Sequence, residues 1–140
     1  MHASDIFILS ARRTAIGTFG GSLKDVPLCD LASTAVKAAL QSSQVDPERI
    51  GHVVMGNVIP TEPQDAYLAR VAAMNAGIPK ETPAYNVNRL CGSGLQAIIS
   101  AAHTLMVGDA EFAIGAGAEA MSRGPYLMPA ARCPLGRAHG

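Results

Sequence analysis

The chain has 140 residues, 49% of them apolar but only 4% aromatic, and a formal net charge of zero. That length holds one domain with a real core, and the Ala- and Gly-rich composition suits helices packed closely on a buried sheet better than an all-β sandwich. Charge neutrality argues against a nucleic-acid or anionic-membrane partner, and the longest apolar stretch, Leu95 to Val107, is too short to span a bilayer. Met1 to Ser10 lacks the basic leading region of a signal peptide and carries Asp5. Cys29, Cys91 and Cys133 are widely spaced and form no CxxC pair. This points to a reducing compartment, the cytoplasm, and away from a structural zinc site.

In chain order, Asp5 to Ala11 is an apolar, β-branched run that predicts a strand buried on both faces. Arg12 to Pro27, with Gly17, Gly20 and Gly21, predicts a long loop. Leu28, Leu31, Ala32, Ala35, Val36, Ala39 and Leu40 then follow helical spacing, a stripe that should end near Ser42 or Ser43. Asp46-Pro47-Glu48 predicts a turn. His52 to Ile59 predicts a second strand, and Gln64 to Ala76 a second helix stopped by Gly77 and Pro79. Pro83 to Asn88 predicts a third strand, Gly92 to Val107 a helix apolar nearly all round and stopped by Gly108, and Glu111 to Met121 a fourth strand. Gly115 and Gly117 inside that last strand suggest close approach of another backbone or a ligand. From Ser122 onward the periodicity disappears among Pro125, Pro129 and Pro134. Strands alternating with helices imply an α/β fold with a mostly parallel sheet covered by helices on both faces.

The chemistry concentrates in Asn86-Val87-Asn88-Arg89-Leu90-Cys91-Gly92-Ser93-Gly94-Leu95. Cys91 falls where a strand ends and a helix begins. In an open α/β sheet, ligands bind at that end of the strands. Unpaired N–H groups and the positive end of the helix dipole there favour a thiolate, which is the nucleophilic form. Gly92 and Gly94 would let a bulky acyl group reach the sulfur, and amides of the first helical turn could stabilise an oxyanion. The plainer alternative is a small buried hydrophobe. A second alternative overlaps it: Gly92-Ser93-Gly94-Leu95-Gln96-Ala97 fits the dinucleotide fingerprint G-x-G-x-x-A, with Glu119 as the distant acid. Against that, the motif follows the third strand rather than the first, and polar residues lead into it. A cysteine nucleophile also wants a base. His103 lies twelve residues along the same helix, about 18 Å away, His52 begins a strand at the opposite end of the sheet, and His2 and His139 are near the termini.

Val87-Asn88-Arg89-Leu90-Cys91-Gly92-Ser93-Gly94-Leu95-Gln96-Ala97 resembles the acyl-accepting cysteine signature of thiolases. Arg12 to Gly21 is similar to that family's N-terminal loop, Gly56-Asn57-Val58 to its second-strand end, Ala69 to Ala73 to its second helix, and Gly115 to Ser122 to its fourth-strand motif. The resemblance runs in register from residue 5 to about residue 130. It implies the N-terminal half of a thiolase, with Cys91 forming an acyl-enzyme from acyl-CoA and its backbone N–H contributing to an oxyanion hole. A second acetyl-CoA, or CoA in thiolysis, then takes the acyl group, splitting one hard step into two easier ones. CoA and acyl-CoA enter as substrates, no separate cofactor is implied, and family members assemble as homo-dimers or tetramers. Residues 1–121 would form the half-domain and residues 122–140 the start of a loop region, where Arg123, Arg132 and Arg137 could meet CoA phosphates or simply face solvent. The family's Gly-His-Pro and Asn-Glu-Ala motifs, and its second cysteine before a glycine run, are missing from these 140 residues. The isolated chain is therefore expected to turn over little or not at all. A truncated, non-catalytic partner of full-length thiolase subunits is the alternative. A ketoacyl synthase would share the logic, but Asn88-Arg89-Leu90-Cys91 and Glu119-Ala120-Met121-Ser122 favour a thiolase.

Overall fold

The helical stripe that starts at Leu28 folds as helix α1, Leu28–Ser43, in a computed structural model that describes residues 5–128. Gln44 closes it in the left-handed conformation at φ 57° and donates its N–H to the Leu40 carbonyl. A 3₁₀ turn at Pro47–Arg49, capped by the Asp46 carboxylate, leads into strand β1, Ile50–Gly56. The predicted second helix is shorter than its sequence pattern. A 3₁₀ turn occupies Pro63–Tyr67, and α2 runs Leu68–Asn75. Strand β2 is Ala84–Val87, helix α3 Ser93–Met106, and strand β3 Phe112–Gly117. Gly77 and Gly108 follow α2 and α3 at φ 88° and 82°, the left-handed stops that their positions predict.

The sheet order is β2-β1-β3, and both pairings are parallel. Val53 and Met55 point into the core formed with α1 and α2, while Val54 packs on the other face against Ala97 and Ala101 of α3. Helices thus cover both faces of the sheet. Small residues set the α3 contact. A Cβ on Gly115 would lie 2.5 Å from the Ile98 Cα, so glycine there is what lets helix and strand backbones touch. The larger apolar residues of α3, Leu95, Ile98 and Met106, stay exposed. Periodicity alone reads this helix as buried all round; in the structure only its small-residue side meets the sheet.

The predicted first strand does not form. Asp5 to Ala11 has no regular structure and pairs with no strand among the described residues, and Phe7 and Ile8 are 75% and 79% exposed. A strand exists only where two edges exchange hydrogen bonds, and this run makes no such exchange with a described strand. Only one side of β3 is paired among the described residues. Its free side faces an apolar slot of about 1530 Å³, walled opposite by Ile6, Ile8, Leu31 and Ala35. Along the α1 stripe Leu28, Ala32, Val36 and Leu40 are buried, and Leu31, Ala35 and Ala39 join Ala32, Val36 and Leu40 in lining the slot. The fourth strand is also shorter than predicted, because its backbone leaves the ladder after Gly117 and turns at Met121–Arg123.

Candidate active site

Parallel register brings the carboxyl ends of the three strands level, with Gly56 opposite both Val87 and Gly117. The segments that follow them emerge at one end of the sheet, and Cys91 lies in the segment between β2 and α3 with its side chain exposed. The buried-hydrophobe alternative for Cys91 is therefore wrong. Its small neighbours Gly92 and Gly94 keep large apolar atoms from closing over it.

The turn that carries the thiol is held by side chains. Asn88 Oδ1 accepts the Leu90 N–H at 3.0 Å. Ser93 Oγ accepts the Arg89 N–H at 2.8 Å and donates to the Leu90 carbonyl at 2.6 Å. Leu90 sits at φ 50°, a conformation that costs a branched L-residue about 1–2 kcal/mol. Within α3, the Ser93 and Gln96 amides find backbone acceptors; those of Gly94 and Leu95 find none among the described residues. Free amides at a helix start are suited to a developing oxyanion.

Gly56 and Gly94 differ in what surrounds them. A Cβ at Gly56 would lie 2.5 Å from the Ser93 carbonyl carbon and 2.7 Å from the Gly94 nitrogen, so Gly56 lets β1 pass directly beneath the start of α3. At Gly94 a Cβ would meet no atom within 4 Å. The fold makes no steric demand for glycine at 94, where a side chain would project into open space.

The end of β3 is tied to the end of β1 by Glu119. Its two carboxylate oxygens accept the Val58 and Ile59 N–H groups at 2.9 and 3.0 Å, and Asn57 Nδ2 donates to it at 3.4 Å and to the Ala118 carbonyl at 3.1 Å. Farther back, Asn86 bridges β2 to α2, donating to the Asp65 carbonyl and accepting the Ala69 N–H. Arg123 pairs with Glu62 and donates to the Asp25 carbonyl, so it is held inside the fold and is not a free surface arginine. Sequence reasoning missed the clamps made by Glu119 and Asp65. Their partners are fixed by tertiary placement, and no local pattern announces them.

A sequence profile described as the thiolase N-terminal domain matches residues 6–138. The chain belongs to the thiolase family. It is 60% identical over 128 residues to a β-ketothiolase of Cupriavidus necator, covering 91% of this chain and 32% of that protein. It is also 44% identical over 129 residues to an acetyl-CoA acetyltransferase of the same organism, covering 92% of this chain and 33% of that protein. The crystal structure of human mitochondrial 3-ketoacyl-CoA thiolase in complex with CoA superposes with a TM-score of 0.87 at 44% identity, covering 93% of this chain and 34% of that one. This thiolase chain thus spans about a third of the length of the relatives it matches.

Among the described residues no histidine lies in the segment that carries Cys91. His52 lies in β1 near its amino end, edge-on to Tyr85 at 5.4 Å between ring centroids. His103 is in the last turn of α3. Cys29 is buried in the core with its thiol directed at Asp65 Oδ1, 3.5 Å away. Cys133, Arg132, Arg137, His2 and His139 lie outside the described residues. No described helix is long and apolar enough to cross a membrane, and no described cluster of His, Cys, Asp or Glu has the makings of a metal site.

Proposed function

We propose that Cys91 is the acyl-accepting nucleophile of a β-ketothiolase acting on acyl-CoA. The observation that carries the reading is an exposed thiol, inside the family match, on a side-chain-braced turn at the start of α3. In this reading the Cys91 thiolate, its proton already lost to solvent, attacks the thioester carbonyl, and the new S–C bond forms as the carbonyl electrons move onto oxygen. The Cys91 N–H, with the free amides at the start of α3, stabilises that charge in the same reading. Collapse expels CoA as its thiolate and leaves an S-acyl cysteine. Attack by the α-carbon of a second acetyl-CoA completes a Claisen condensation; attack by CoA completes thiolysis. The proton transfers of the second step need a base that the described residues do not supply, so the 140-residue chain alone stalls at the acyl-enzyme. CoA and acyl-CoA are substrates in this scheme, with no further cofactor. The site belongs to a half-domain of residues 1–121, followed by the opening of a loop region, in a homo-oligomeric enzyme of the cytoplasm.

The test is to incubate the chain with acetyl-CoA, quench in acid and map acetylated peptides by mass spectrometry. Acetate on Cys91, and none on Cys29, is the expected result; no acetylation of Cys91 would remove the nucleophile assignment. Because the chain spans about a third of its relatives, a non-catalytic partner of longer thiolase subunits remains a second reading. Such a chain would co-purify with full-length subunits and never carry acetate. The dinucleotide alternative draws no support from the turn, where Asn88, Arg89, Leu90 and Cys91 place four side chains ahead of the glycines.

A further inference from the structure

We infer that Asn88 and Glu119 are positioning residues for Cys91, linked through the segment that follows β1. The inference rests on the acyl-transfer reading for its purpose, but on hydrogen bonds alone for its geometry. The Cys91 turn leaves the sheet after β2 and belongs to no ladder. Among the described residues it is hydrogen-bonded to the segment after β1 through the Asn88 side chain, whose Nδ2 donates to the Val58 carbonyl at 3.3 Å while Oδ1 receives the Leu90 N–H. Val58 is itself fixed from the opposite side. Its N–H and that of Ile59 both end on the Glu119 carboxylate. Glu119 therefore sets the peptide that Asn88 reads, and Asn88 sets the strained residue immediately before the nucleophile.

Three features separate this line from ordinary loop bracing. It joins the ends of all three strands, β3 to β1 to β2, at the one end of the sheet where the thiol lies. It terminates on Leu90, whose positive φ is unfavourable unless its surroundings impose it. Glu119 spends both carboxylate oxygens on backbone amides, an arrangement that orients a peptide plane rather than merely capping a charge. Neither residue touches Cys91 in the structure; each acts through the backbone.

The test compares the 140-residue chain with Asn88→Ala, Asn88→Ser, Glu119→Ala and Glu119→Gln. It follows Cys91 acetylation by acetyl-CoA, Cys91 alkylation by iodoacetamide across pH, and thermal melting. Asn88→Ala removes two oriented hydrogen bonds and Glu119→Ala three, which predicts acetylation slower by about tenfold or more in both, with melting temperatures close to the parent because most of these bonds are exposed to solvent. Ser at 88 can still accept the Leu90 N–H in a local turn but is too short to keep the Val58 bond, so Asn88→Ser should recover only part of the rate, as should Glu119→Gln, which keeps one acceptor oxygen. Unchanged acetylation and alkylation in the alanine variants, or losses that simply track melting temperature with no rescue by Ser, would overturn the inference. If the parent chain takes up no acetate at all, the acyl-transfer reading fails while alkylation still decides the positioning: slower alkylation in the alanine variants and its partial recovery in Asn88→Ser would support it, and equal rates would sink it.

Discussion

Cys29 and Cys91 are the same residue type in opposite surroundings. Cys91 is exposed at a strand end, whereas Cys29 is 5% exposed on the core face of α1. Burial, then the hydrogen bond to Asp65 and the negative charges of Asp65 and Asp30, push the Cys29 thiol up from 9.0 to about 11. Asp65 tolerates its own burial because Thr61 N–H, Thr61 Oγ and Glu62 N–H all donate to its other oxygen. The pH consequence has a definite sign. Below about pH 9 folded and unfolded chains both keep the Cys29 proton, so its contribution is fully present. Between about 9 and 11 the unfolded chain releases a proton that the folded chain retains, and stability falls by about 2 to 3 kcal/mol in total. Melting curves from pH 8 to pH 11 should therefore drop more steeply for the parent than for Cys29→Ala; parallel pH profiles would contradict this. Nothing in the sequence around Asp65 separates it from an ordinary acid in a first helical turn, whereas Cys91 was legible because its neighbours form a recognisable motif.

At the level of elements, the helices were readable because their stripes are local: α1 begins and ends where its pattern says. The strand predicted at Asp5 to Ala11 was not realised, since an apolar run carries no information about which edge will receive it. The site shows the same division. The cysteine, its glycines and the following helix are contiguous, but Glu119 meets the β1 end from 61 residues away in sequence. Packing of α3 on β3 offers a sharp check. A methyl group at Gly115 would collide with the Ile98 Cα at 2.5 Å, its nitrogen at 2.9 Å and the Ala97 carbonyl at 3.0 Å, all backbone atoms that cannot rotate away. Gly115→Ala is expected to cost about 1–3 kcal/mol in urea unfolding. Gly94→Ala, where the methyl meets nothing, should be neutral or stabilise α3 by up to about 1 kcal/mol. Equal costs at the two sites would mean that α3 does not lie this close to β3.

For the molecule as a whole, the unpaired side of β3 and the apolar slot beside it are the main liability. Ile6, Phe7, Ile8, Leu9, Ile16 and Phe19 are all exposed, and an uncovered strand edge is a template for another chain. The isolated chain should self-associate: native mass spectrometry should show species above the monomer, growing with concentration. A cooperatively melting monomer at every concentration would refute this.

Parallel topology also orders events in time. Every strand pairing is long-range, Val53 with Ala84 and Gly56 with Gly117, so the sheet cannot zip from a hairpin and must wait for each strand to arrive. Glu119 is made 28 residues after Cys91. At typical synthesis speeds that is about 1–6 s during which the thiol has left the ribosome's catalytic centre but the brace behind it does not yet exist. In the nascent chain, the Asn88 and Ser93 bonds within the Cys91 turn can form as soon as their residues emerge, while the Glu119 brace behind Val58 joins them last.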